Sequence, residues 1–138
     1  MGYRFLTYES LEDSHLVPGP RLEGGVVGAV FEFRGVVRAD LRGGKRVRSI
    51  HYEAFEEMAE VELEKIRGEV LDRFDVTDVV IVHRLGEIAV GEASLYVRVL
   101  SPHRKSGFAA VDYVVDRIKE TVPIWKKERF EDDSTAWR

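Results

Sequence analysis

Apolar residues recur at Phe55, Ala59, Leu63, Ile66, Val70 and Phe74. Steps of three and four residues put them on one stripe of an α-helix, so residues 55–74 are predicted as an amphipathic helix with a polar outer face. A second helix is predicted over roughly residues 103–121, where Phe108, Val111, Val115, Ile118 and Val122 share one apolar stripe. Pro123 restricts Val122 and ends that run. The other apolar stretches are short and rich in β-branched and aromatic residues. "YRFLTY" predicts a first strand. "GVVGAVFEFRGVV" is strongly strand-like, and its partly apolar faces predict a central strand. "RVRSIHYEA", "VTDVVIVHRL", "ASLYVRVLS" and "IWKKERF" complete the strands. In "ASLYVRVLS", Leu95, Val97 and Val99 alternate with Tyr96 and Arg98. "ESLEDSHLVPGPRLEGG", broken by Pro18, Gly19 and Pro20, reads as mostly loop with one helical turn. "RADLRGGKRVR" reads as a Gly-containing basic loop. No repeat or linker divides the chain, so residues 1–138 are expected to form one α+β domain, two long helices against a mixed or antiparallel sheet.

Composition narrows the chemistry. The net charge is −4, so the chain as a whole is not built to track phosphate backbones, and any anion site must be a local basic cluster. There is no cysteine, which excludes disulfides, thiolate metal ligands and a cysteine nucleophile. The 4 histidines are scattered without ligand spacing, so no metal site or resident cofactor is expected. His51 and His83 lie in strand patterns and read as core or hydrogen-bonded residues. No stretch of about 18 apolar residues is present to span a bilayer. "MGYRFLTYES" does not have the form of a signal peptide, and a cytoplasmic location is expected.

The basic residues around the second helix are the unusual feature. Ser101 is placed as its N-cap and Pro102 as its first residue. His103, Arg104 and Lys105 then crowd the end where the helix dipole is already positive. Either they point into solvent, where screening removes most of the penalty, or they hold an anion against the exposed N–H groups. Lys119 falls about 20° from Phe108 and about 40° from Val115 around the helix, on the shoulder of the apolar stripe. Its amine either snorkels into water or sits on the floor of a cleft, where desolvation and neighbouring cations make it chemically useful. In the strand "IWKKERF", Ile124, Lys126 and Glu128 share one face, and Trp125, Lys127 and Arg129 the other. Lys126 and Lys127 therefore cannot face the same pocket. Arg34, Arg42, Lys45, Arg46 and Arg48 read as a solvated basic patch.

"SPHRKSGFAAVDYVVDRIKETVPIWKKE" resembles the C-terminal signature of the large, catalytic subunit of molybdopterin synthase. "GAVFEFRGVVR", "IHYEAFEEMAE" and "VHRLGEIAVGE" resemble further segments of that family, in the same order and at similar spacing. Together they cover about residues 25–130; residues 1–24 do not carry the resemblance, and the chain is expected to lack the longer tail of many relatives. The resemblance implies an α/β-hammerhead-type fold and a sulfur-transferring enzyme that converts cyclic pyranopterin monophosphate into molybdopterin by installing a dithiolene. It implies sulfur delivered as the C-terminal Gly-Gly thiocarboxylate of a small ubiquitin-like subunit, and a homodimer within a heterotetramer. It also implies that Lys119 and Lys126 are catalytic. The substrate would be bound by the backbone around Val36 and Val37 and by Arg38, His103, Arg104, Lys119 and Lys126, with Lys127 and Glu128 beside them. Two other classes compete. A non-catalytic phosphate- or pterin-binding scaffold of the same fold would have no need of both lysines, and both are present. A binder of single-stranded nucleic acid would want an aromatic series within a basic surface, which the acidic chain lacks.

Overall fold

A computed structural model of the chain describes residues 5–12 and 17–138. The strands are β1 (Leu6–Thr7), β2 (Ala29–Val36), β3 (Leu41–Arg42), β4 (Lys45–Ala54), β5 (Asp78–Arg84), β6 (Gly86–Ala89), β7 (Ala93–Ser101), β8 (Ile124–Phe130) and β9 (Thr135–Trp137). The helices are α1 (Glu56–Arg73), between β4 and β5, and α2 (Arg104–Thr121), between β7 and β8. One sheet runs β1-β5-β7-β2, with β1 parallel to β5 and the other pairs antiparallel. The other runs β3-β4-β8-β9, with β6 also on β4. This is the expected α+β arrangement. Part of the predicted N-terminal loop and the start of the first strand fall outside the described residues.

Both helices pack on one face of the first sheet. Ala59, Leu63, Ile66 and Val70 of α1 meet Ala110, Val114 and Ile118 of α2 over Val79, Ile81, Val97 and Val99. Every residue of β5 from Val79 to His83 is buried, so β5 and its neighbour β7 form the middle of that sheet. Arg117 Nε lies 3.2 Å from Glu69 Oε1 and Tyr113 Oη donates to the same oxygen at 2.7 Å, tying α2 to α1. A smaller core under the second sheet gathers Val37, Val47, Ile50, Ile88 and Phe130.

Four sequence expectations are corrected. β2 is an edge strand, paired only with β7 among the described residues, and its residues alternate between half-buried and exposed, with the apolar Val30 and Val36 on the exposed face. The basic loop is a hairpin: β3 pairs with the start of β4 across Gly43 and Gly44, both at positive φ, as a tight two-residue turn requires. The N-cap of α2 falls two residues later than expected, at His103 and with no side-chain cap, because Ser101 is the last residue of β7 and its hydroxyl donates to the His103 carbonyl at 2.7 Å. The buried stripe of α2 is Gly107, Ala110, Val114 and Ile118, not one centred on Phe108, which is 63% exposed and meets Phe31 edge-on at 4.6 Å. The residues facing β2 must be small for the helix to approach. A Cβ on Gly107 would stand 2.1 Å from Phe31 Cε2.

Gly107→Ala is accordingly expected to destabilise the fold by about 1–3 kcal/mol, the usual cost of overpacking. Gly68→Ala, on the open face of α1 with nothing within 4 Å, should stabilise by about 0.5–1 kcal/mol. Urea unfolding of the two variants measures both, and equal midpoints would refute the packing assignment.

Candidate functional site

The last turn of α2 and the first residues of β8 meet across the break at Pro123. Lys119 projects from the helix and Lys126 from the strand, and both line one open cavity of about 530 Å³. Phe33, Gly35 and Val36 of β2, Leu95 of β7, and Val115, Ile118 and Val122 of α2 supply its apolar wall. Tyr52, His83 and Ser94 add neutral polar groups, and Arg138 closes one side. Lys119 and Lys126 make no ion pair among the described residues. An apolar wall with two unneutralised amines is a setting for an anionic, partly apolar ligand.

Strand pleat separates the two neighbouring lysines as anticipated. Lys127 points away from the cavity, its ammonium 5.0 Å from the centre of the Trp137 ring. Glu128 shares the Lys126 face but is only 3% exposed, and its carboxylate accepts from Arg138 Nε at 2.6 Å and from Arg42 at 3.4 Å. It is a clamp between β3, β8 and the C-terminal strand, and it does not line the cavity. Val37 is buried in the smaller core. Its N–H donates to Glu92 O at 3.0 Å and its carbonyl accepts from Gly91 N at 2.9 Å, so its backbone is already used. Arg38 has a 79% exposed side chain paired with Asp40 at 3.2 Å, outside the cavity.

His103 and Arg104 lie elsewhere. With Pro102, Lys105, Gly28 and Ala29 they line a separate hollow of about 430 Å³ at the start of α2. Strand β2 enters there under tight geometry, since a Cβ on Gly28 would come 2.2 Å from the Pro102 carbonyl oxygen. Lys119 is about 22 Å further along the helix axis. One chain therefore does not bring all the predicted cations together. The basic hairpin is no free patch either. Arg42 holds Glu128 and Asp40, Lys45 lies 3.3 Å from Asp132, Arg48 lies 2.6 Å from Asp133, and Arg46 donates to Ala39 O at 2.9 Å.

Tyr52, His83, Ser94 and Arg138 were not singled out as site residues from the sequence. Only His83 carried a signal, a polar residue closing the apolar run "VVIV". Burial pushes the His83 imidazolium down to about 4, the Arg84 carbonyl acting against that shift and the nearby Lys126 charge adding to it. Burial likewise pushes the Tyr52 phenol up. Both are neutral at physiological pH. His51 is half-exposed on β4, 3.4 Å from Glu53 and 3.7 Å from Glu87. Among the described residues no group of three or more His, Asp or Glu side chains could hold a metal ion, and no helix is long and apolar enough to cross a membrane.

The profile of the MoaE protein family matches residues 9–121. The chain is also 44% identical over 110 residues to the molybdopterin synthase catalytic subunit of Pyrococcus abyssi, covering 80% of this chain and 73% of that protein. It belongs to the MoaE family, the catalytic subunits of molybdopterin synthase. The crystal structure of molybdopterin synthase from Staphylococcus aureus superposes at a TM-score of 0.85 with 33% identity, over 100% of this chain and 98% of that one. A chain in the complex of subunits 1 and 2 of the molybdopterin-converting factor from Helicobacter pylori shares the fold, with a TM-score of 0.67 and 20% identity over 81% of this chain and 72% of that one. This MoaE chain is thus an enzyme whose cleft presents Lys119 and Lys126 to solvent.

The depressed His83 titration has a consequence for stability. An imidazole that stays neutral in the fold but protonates near 6.5 when unfolded favours the unfolded state as pH falls. The contribution is fully present above about pH 6.5 and is lost on acidification through about pH 4. Unfolding free energy should therefore drop over that window with a His83-dependent slope of up to about 1.4 kcal/mol per pH unit. His83→Gln should remove that part of the slope in urea titrations at several pH values; an unchanged slope would contradict the assignment.

Proposed function

We propose that this chain converts cyclic pyranopterin monophosphate into molybdopterin in the Lys119–Lys126 cavity, taking sulfur from the C-terminal thiocarboxylate of a small ubiquitin-like subunit. The observation that carries this reading is the convergence, in one apolar-walled cleft, of two amines that have no carboxylate partner among the described residues. The chain has no cysteine, and its only sulfur atoms are the thioethers of Met1 and Met58, which cannot form a persulfide. Sulfur must arrive from outside on a carrier the cleft admits. A tail ending in Gly-Gly is narrow enough to enter. Both a thiocarboxylate and the carboxylate it leaves are anions, and ammonium groups fixed beside them in a cleft that sheds water stabilise that charge more than solvent does. In this reading the Lys119 ammonium orients the terminal thiocarboxylate, and Lys126 shares its charge and carries protons.

A homodimer accounts for His103 and Arg104. These cations stand about 22 Å from Lys119 on their own helix, so they can serve the same phosphate-bearing substrate only if one copy's α2 start meets another copy's cleft. The exposed edge strand β2, with Val30 and Val36 uncovered, is a surface such a contact would use. The phosphate then sits at a helix N-terminus flanked by an arginine, a favourable place for an anion.

With thiocarboxylated small subunit and the cyclic pterin, the chain should form dithiolene product, and with free sulfide in its place it should not. Lys119→Ala and Lys126→Ala should abolish turnover while shifting stability by less than about 1 kcal/mol, as expected of exposed side chains. Lys127→Ala should be milder, since its side chain lies on Trp137. Near-normal product formation by Lys119→Ala, or by the chain with sulfide alone, would refute the mechanism.

Mixed dimers test the shared site. Lys119→Ala and Arg104→Ala chains, each inactive alone, should recover about a quarter of normal activity when unfolded and refolded together, since half the dimers then hold one intact site. No recovery beyond the separate chains would place both residues' roles within one protomer.

A further inference from the structure

His83 is a polar group of the cavity to which the proposed chemistry gives no task. His83 is the penultimate residue of the central strand β5, 6% exposed, and its ring meets the Tyr52 ring edge-on at 5.1 Å. Nδ1 lies 2.8 Å from the Arg84 carbonyl oxygen. A carbonyl can only accept, so Nδ1 carries the proton. The neutral ring then holds a bare lone pair on Nε2. Among the described residues no N–H or O–H group donates to that nitrogen. The ring nonetheless lines the cavity together with Lys119 and Lys126. Tyr52, which touches it, is the cross-strand partner of Lys126 in the β4–β8 ladder.

A lysine on a four-carbon stem is poorly located by itself. In the open cleft, water satisfies its ammonium. Once a tail fills the cleft and water leaves, the three N–H groups need acceptors. A carboxylate would hold the amine but cancel the charge that an anionic ligand requires. Glu128, the carboxylate on the Lys126 face, is already occupied by Arg42 and Arg138. A neutral imidazole nitrogen accepts a hydrogen bond and leaves the positive charge whole.

We propose that His83 is a positioning residue, whose Nε2 accepts a hydrogen bond from the Lys126 ammonium in the occupied cleft and fixes that amine without neutralising it. The inference rests on the reading of this cavity as the sulfur-transfer site.

The two ring nitrogens can be tested apart. An asparagine amide reaches about as far as Nδ1 and keeps the bond to Arg84 O, whereas a glutamine amide reaches the Nε2 position. In the complex with thiocarboxylated small subunit, H83N should lose at least about tenfold in kcat with little change in KM for that subunit. H83Q should restore most of the loss. A merely structural role through the Arg84 carbonyl gives the reverse order, and that order, or normal kcat in H83N, overturns the proposal. The 15N resonance of His83 Nε2 provides a readout independent of substitution at His83. In the complex it should move when Lys126 is changed to Ala and stay in place when Lys127 is changed to Ala. If neither or both changes move it, the proposal fails even where both His83 variants are inactive. If Lys126→Ala keeps full turnover, the reading of the cavity falls, and this inference with it; if only the Nε2 tests fail, the cavity reading stands.

Discussion

The position of α2 on the first sheet governs the rest of the molecule. Its seating depends on the absence of side chains at two glycines. Gly107 lets the helix settle against the Phe31 ring, and Gly28 lets the chain entering β2 pass under the Pro102 carbonyl. Protein interiors transmit such constraints because they are close-packed, with little free volume to absorb a shift. From those contacts the helix runs over β7 as a rigid rod, braced on α1 by Glu69, and delivers Lys119 over the cleft. Pro123 then stops it and turns the chain into β8, so that Lys126 returns to the same cleft from the opposite side.

Charge is distributed to the same end. The chain carries 21 Lys and Arg residues within a net charge of −4, so most cations have carboxylates available. Around the hairpin and the C-terminal strand they use them, and such exposed pairs add little stability each. Lys119 and Lys126 differ in lacking a partner among the described residues. Glu128, the carboxylate best placed to neutralise Lys126, is buried and held by two arginines. The neighbours left to the lysines are a neutral imidazole and a phenol whose burial keeps it protonated. Positive charge against an apolar wall is thus kept available for a ligand.

Much of the fold was legible in the order of residues. The apolar stripe from Phe55 to Phe74 became α1 with those two residues at its caps, and the long strands lie where their alternation put them. The departures share a cause. Hydropathy patterns register side-chain size and polarity, whereas close approach is made by residues that have almost no side chain. The pattern therefore favours Phe108 for the buried side of α2, which Gly107 and Ala110 occupy. Short strands such as β6 and β9 are too brief to show a period and exist through pairing with β4 and β8. At the site, the strand pleat separated Lys126 from Lys127, but nothing local marked Tyr52, Ser94 or Arg138 as their neighbours.

The sequence by itself determined the element types, the absence of thiol chemistry, the helix that carries Lys119 and, through four segments in register, the family. These are local or compositional properties, set by periods of two and 3.6 and by which functional groups are present at all. Only the tertiary structure decided which of the many cations stay unpaired, that Glu128 is buried, and that His83 turns a neutral face into the cleft. It alone showed that His103 and Arg104 stand a helix-length away from Lys119. Those outcomes depend on distances between residues far apart in the chain, and such distances are fixed by how closely α2 packs on the sheet.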